Sequence, residues 1–228
     1  MSEVHLDASA ISRGVALADQ AYVALRDAIL THRLRPGTRL SVPEVARQLQ
    51  ISRSPAREAI ARITHEGLAT FVPNKGAVVA KIDAAELVEI YDLREVLEGL
   101  ACRLATQHLT ADVVEELERI IAEHEEAVSA NDVERHMDLD AMFHQRIRQI
   151  SKNRRLIEAL DRLQGQIRVA MYTTRHSPGG MKQALAEHRA IAAALRSGDP
   201  DVAENTARAH IRRLRAHIRE SVDREEVR

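Results

Sequence analysis

The residues of this 228-residue chain best suited to hold an ion are Asp140 and His144, four apart, with His188 and His210 further on. Four residues advance a helix by about 400°, so Asp140 and His144 fall on nearly the same face and can grip one cation. His188 lies near the centre of an apolar stripe through Met181, Leu185, Ala192 and Leu195, and Ala203, Ala207, Leu214 and Ile218 flank His210. An acid and several imidazoles in an apolar core are costly alone, whereas a divalent cation satisfies them together. The bland alternative is a set of hydrogen-bonded core histidines. Spacing also leaves rivals, because His136 sits one turn before Asp140 and His217 two turns after His210. Two turns displace a side chain by roughly 10 Å, so His210 and His217 are not expected on one ion.

A second group has the chemistry of duplex DNA recognition. A helix entering the major groove needs long cationic or hydrogen-bonding side chains near its start, and Ser52-Arg53-Ser54-Pro55-Ala56-Arg57 supplies them. Arginine donates two parallel hydrogen bonds to guanine, while helix-start amides and serine hydroxyls hold phosphates. Lys75 and the flexible Gly76 follow in a turn that would reach a neighbouring groove or the backbone. The alternative is a small helical domain with surface arginines.

The elements that position these groups follow from the periodicity. Helices are expected at 19–32, 42–49 and from Ser54 to Gly67, with Ser54 as cap and Pro55 as first helical residue. The period then changes, and 68–72 and 77–80 read as strands joined by Pro73-Asn74-Lys75-Gly76. Beyond Asp83, helices are expected at 83–107, 111–129, 132–151, 153–173, 181–197 and 200–222, broken near Asp112, Asp132, Asn153 and Gly198-Asp199-Pro200. The expected fold is mainly α: a winged helix-turn-helix over 19–81, an antiparallel all-α helical bundle over 82–228, and a flexible N-terminal arm over 1–18.

Composition narrows the function classes. The chain is 45% apolar with a net charge of −1. Residues 1–81 carry a net +4 and the remainder a net −5, which suggests modules with different partners. No apolar run approaches the roughly 20 residues of a membrane span, and the N-terminus lacks the pattern of an export signal. The single cysteine, Cys102, excludes an internal disulfide and a thiolate zinc knuckle and fits a reducing cytoplasm. Three Tyr, two Phe and no Trp argue against single-strand recognition by base stacking.

Residues 19–80 resemble the DNA-binding half of GntR-family bacterial transcription regulators. The resemblance is carried by Ile51-Ser52-Arg53-Ser54-Pro55-Ala56-Arg57-Glu58-Ala59-Ile60, Glu66-Gly67-Leu68 and the Pro73-Asn74-Lys75-Gly76-Ala77 wing. It implies that Arg53 and Arg57 read an operator with Ser52 and Ser54, and that Lys75 and Gly76 serve the wing. Gln50 departs from the family's usual turn glycine; a left-handed backbone there would cost about 1 kcal/mol. Residues 83–222 resemble the FCD ligand-binding domain of the FadR-type branch, through Asp140-Ala141-Met142-Phe143-His144, Glu187-His188-Arg189, Ala209-His210-Ile211 and Leu93-Arg94-Glu95.

The resemblance to that branch implies a divalent metal ion on Asp140, His144, His188 and His210, with zinc or nickel suited to three imidazoles and manganese as a further option. It also implies a small carboxylate or hydroxy acid effector, with Arg94 as its second contact. Against that role for Arg94 stands an exposed Arg94–Glu98 pair worth about 0.3 kcal/mol. The expected protein is a homodimeric regulator, most simply a repressor, whose palindromic double-stranded operator is released when metal and effector alter the bundle. A direct metal sensor is the nearest alternative. A metal-dependent hydrolase is a distant one, since the chain has no HExxH, Gly-rich phosphate loop or GxSxG motif.

Overall fold

The computed structural model describes residues 16–174 and 180–226, and the chain is mainly helical. The arm expected over 1–18 lies outside the described residues as far as residue 15. Helix α1 (Leu17–Leu30) starts within its last two positions, and it buries Ala21, Leu25, Ala28 and Ile29. Helix α2 (Val42–Gln48) begins at Ser41 with a proline in its first turn, where the missing N–H has no intrahelical partner to lose.

Between α2 and helix α3 (Arg53–His65) the turn is made by Gln50, whose φ of 54° is the left-handed conformation that a glycine would adopt more cheaply. Its amide donates to the Arg47 carbonyl and the Ile51 amide to that of Ala46, which closes α2. Helix α3 starts earlier than the sequence indicated: Ser52 is the N-cap residue and Pro55 the third helical residue, not the first. A proline is still tolerated there because first-turn amides are orphaned. Ala56, Ala59, Ile60 and Ile63 form its buried side, and Gly67 ends it at φ 75°.

The wing follows as an antiparallel pair, β1 (Ala69–Val72) and β2 (Gly76–Val79), with Ala69 opposite Val79 and Val72 opposite Gly76. One partner of this ribbon was not legible in the sequence. Residues 37–40 run along β2, with Gly37 donating to Val79, Leu40 to Ala77 and Val79 to Thr38. Arg-Pro-Gly-Thr reads as a turn because strand propensity is low there, and the ladder bonds come from tertiary placement.

The second part of the chain comprises α4 (Ala84–Ala105), a single 3-10 turn (Thr106–His108), α5 (Ala111–Ser129), α6 (Val133–Ile150), α7 (Arg154–Thr174), α8 (Met181–Arg196) and α9 (Pro200–Glu226). Helix α4 packs along α9, and α5 packs against α6 and α8. Breaks fall where capping chemistry demands. Asp132 accepts from the Arg135 amide, Asn153 from Leu156, and Asp199 from Asp201 and Val202. The cap of α5 is Thr110, which accepts from Val113, and Asp112 lies in the first turn instead. On α6, Val133 is exposed at the first helical position, while Phe143, Ile147 and Ile150 are buried.

The chain divides into two compact units. Of the described residues, one unit holds those up to Asp83 together with the part of α7 from Gly165, and the other holds the rest. Within the first unit, Gln166 donates to the Glu66 carbonyl, and a Cβ at Gly165 would stand 3.1 Å from Leu68.

Candidate metal centre and nucleic-acid interface

Helix α6 presents Asp140 and His144 one turn apart, α8 presents His188, and α9 presents His210. All three imidazoles are buried, and one nitrogen from each lies within 4.8 Å of the others. His188 stands edge-on to His144 and His210 at 5.1 Å between ring centres, and its other face stacks on Phe143 at 4.4 Å.

Hydrogen bonding separates the inner from the outer nitrogens. Nε2 of His144, His188 and His210 has no hydrogen-bond partner among the described residues. The outer nitrogens of two rings face carboxylates instead. His210 Nδ1 is 2.6 Å from Glu187, and His144 Nδ1 is 3.5 Å from Glu98 Oε2, an ion-pair rather than a hydrogen-bond distance. Asp140 Oδ1 lies 3.3 Å from His188 Nε2. Its side chain retains 27% exposure, whereas the three imidazoles are buried.

The charges suit a cation. Burial works against the Asp140 charge, but His188, His144 and Arg94 outweigh it and hold the carboxyl well below its ordinary range. Burial pushes His188 far below the usual imidazole range, and lowers His210 despite its bond to Glu187. Imidazoles kept neutral at His188 and His210 beside an ionised carboxylate are donors of the kind that could hold a divalent ion. Elsewhere in proteins such orphaned buried nitrogens are rare, because each one lacks the solvation it had in water.

Arg94 is not on the surface. It is 3% exposed on α4, with Nε 3.3 Å from Glu98 and Nη1 3.4 Å from the Tyr91 hydroxyl, while Nη2 has no partner among the described residues. The exposed Arg94–Glu98 pair considered from sequence is therefore corrected to a buried one. Glu98 is held at about 2, since His144 and Arg94 outweigh the opposing effect of burial. Arg148, almost wholly buried, fixes the turn carrying His144 by donating to the His144 carbonyl and to Asp161.

The rivals separate cleanly. His217 is exposed on α9, away from the buried rings. His136 is buried but pairs with His124 of α5, nitrogen to nitrogen at 2.5 Å, and the His124 ring lies 5.3 Å from His188. Burial depresses His124 to about 4. Sequence reasoning missed His124, Glu98 and Glu187. His124 follows Leu117 by two turns and was open to the stripe argument, whereas the Glu roles depend on contacts between helices.

The residues expected to meet DNA lie at the start of α3 and on the wing. Ser52, Arg53, Ser54 and Arg57 are exposed, as is Lys75, while Gly76 opens β2 at φ 79°. Arg47 and Arg62 nearby are tied to Glu44 and Asp19. Among the described residues no carboxylate pairs with Arg53 or Arg57. The α3 N-terminus adds its own positive potential.

Comparison with known proteins places both parts. Residues 17–79 match the bacterial regulatory proteins of the gntR family, and residues 89–213 match the FCD domain. An HTH-type transcriptional regulator in an unstable DNA locus of Streptomyces ambofaciens is 30% identical over 204 residues, 86% of this chain and 85% of its own length. The HTH-type transcriptional repressor RspR of Escherichia coli (strain K12) is 26% identical over 201 residues, 88% of each. Among solved structures, E. coli McbR/YncC superposes with a TM-score of 0.72 at 22% identity, covering 92% of this chain and all of that one, which speaks to the fold. With a gntR winged head and an FCD bundle both matched, the chain belongs to the GntR family of DNA-binding bacterial transcriptional regulators, whose members are not enzymes.

Proposed function

We propose that the protein is a cytoplasmic homodimeric repressor whose bundle binds a divalent metal and a small organic acid, and whose affinity for a palindromic operator changes with that binding. The observation that supports this reading is the convergence of three buried imidazoles, each with an Nε2 that makes no hydrogen bond among the described residues, beside the ionised Asp140. Asp140, His144, His188 and His210 would hold the ion, with zinc or nickel favoured by the imidazoles and manganese a third option. Held by these four groups, a six-coordinate ion would keep open positions for a carboxylate or hydroxy acid.

Arg94 is the second contact for that acid. Its buried Nη2 lacks a partner, and a carboxylate is the group that satisfies a guanidinium best. Tyr91 and Glu98 hold the remainder of the guanidinium and orient it. On the head, Arg53 and Arg57 read base edges, Ser52 and Ser54 hold phosphates, and Lys75 and Gly76 carry the wing to the backbone. An effector acts only through its difference in affinity between two arrangements of the dimer. Helix α7, which contributes to both compact units, is the element suited to link them.

Selection from a pool of random duplexes tests the regulator. The reading predicts enrichment of an inverted repeat bound by two chains, weakened when metal and a carboxylate are supplied together. Enrichment of asymmetric sites bound by one chain contradicts it. A direct metal sensor is favoured instead if metal alone produces the full change in operator affinity.

A further inference from the structure

We infer that Glu187 is a positioning residue of the metal pocket: it fixes His210 as the tautomer protonated on Nδ1, so that Nε2 is the free donor aimed at the ion. The inference rests on the metal reading for its purpose but on contacts of its own for its geometry.

Glu187 directly precedes His188 on α8. Consecutive helical residues point about 100° apart, so one side chain enters the pocket while the other faces α9. There Glu187 meets three N–H donors and the His210 ring. His210 Nδ1 is 2.6 Å from Oε2, Arg213 reaches Oε2 at 2.7 Å and Oε1 through Nε, and Gln183 donates to Oε1 at 3.0 Å. Arg213 follows His210 by three residues, on the same face of α9, so one turn of that helix supplies both the imidazole and the clamp on its partner.

A carboxylate held by three N–H donors of Arg213 and Gln183 is ionised and can only accept, so the proton between it and His210 resides on Nδ1. A neutral imidazole then carries its lone pair on Nε2, the atom that is buried and unpartnered among the described residues. The two other rings lack such a grip. Glu98 stands 3.5 Å from His144, and His188 Nδ1 has no partner among the described residues. His210 is thus the donor whose orientation is set before an ion arrives. A carboxylate on the outer nitrogen also raises the basicity of the inner one.

Two readouts test this in the full-length protein. In the metal-free state, nitrogen NMR should find the His210 proton on Nδ1 in the wild type and redistributed in Glu187→Ala. Titration with cobalt, followed by its absorption bands, should show affinity reduced by about 10- to 100-fold in Glu187→Ala. Glu187→Gln keeps an acceptor without the charge and should retain the tautomer with a smaller loss. It also serves if the alanine variant fails to fold. A His210 protonated on Nε2, or cobalt affinity unchanged in both folded variants, overturns the inference. A wild type that takes up no cobalt overturns the metal reading instead, and the tautomer measurement then still decides what Glu187 does.

Discussion

At the residue scale the protein holds an unusual concentration of buried polarity on few partners. Arg94 illustrates the consequence. Removing one member of a buried ion pair leaves the other uncompensated, so Arg94→Leu should destabilise the chain by about 3–5 kcal/mol in urea unfolding. A loss below about 1 kcal/mol would mark the pair as a surface one. Acid should act through the histidines. His124 is held near 4 in the folded chain against 6.5 unfolded, so between those values the unfolded chain binds a proton that the folded one refuses. Stability of the metal-free protein therefore falls as pH drops from 6.5 to 4, by about 3 kcal/mol from His124 alone, with His188 and His210 acting in the same sense. Glu98 and Glu187, held near 2, add a loss below about 4.5. Thermal unfolding at pH 7.5 and pH 5 checks this; equal midpoints would contradict it.

At the element scale, the proposed function assigns base reading to α3 and backbone contact to the wing. Arg53→Ala should reduce discrimination between operator and random duplex by about 1–3 kcal/mol. Lys75→Ala should lower affinity for all sequences and flatten the salt dependence by about one unit of slope. Competition binding at two salt concentrations separates them, and equal losses on every sequence for Arg53→Ala would remove base reading from that residue. Much at this scale was legible in the sequence. The bundle helices show because their apolar stripes persist over several turns, and the unusual Gln50 turn shows because the helices around it are short and closely spaced. The start of α3 was misplaced because Ser52 and Ser54 are equivalent capping signals and proline fits any first-turn position. The strand-like run at 37–40 was hidden because its ladder partner, not its own composition, makes it extended.

At the scale of the whole molecule, the sequence pointed to a basic head and an acidic bundle, and the family match covers both. Apolar stripes marked several buried histidines as candidates, but spacing left His136 and His217 as rivals and only the resemblance proposed the four-residue set. Glu187 and Glu98 were not legible, since what they do depends on which helices are neighbours. Nor was the division of α7, whose residues from Gly165 belong with the winged unit. A dimer reading an inverted repeat requires half-sites about one DNA turn, roughly 34 Å, apart. Footprinting of a selected operator should show two protected half-sites at that spacing, and inserting half a turn between them should abolish tight binding. Binding that tolerates the insertion would contradict a fixed placement of two reading helices.

The central claim is that the buried imidazoles and Asp140 hold one divalent cation. Calorimetric titration of chelator-treated protein with zinc and with nickel tests it most directly. One ion per chain, lost in His144→Ala and in His188→Ala while both variants remain folded, is the predicted result. A folded wild type that binds neither ion, or variants that bind as well as the wild type, would contradict the account.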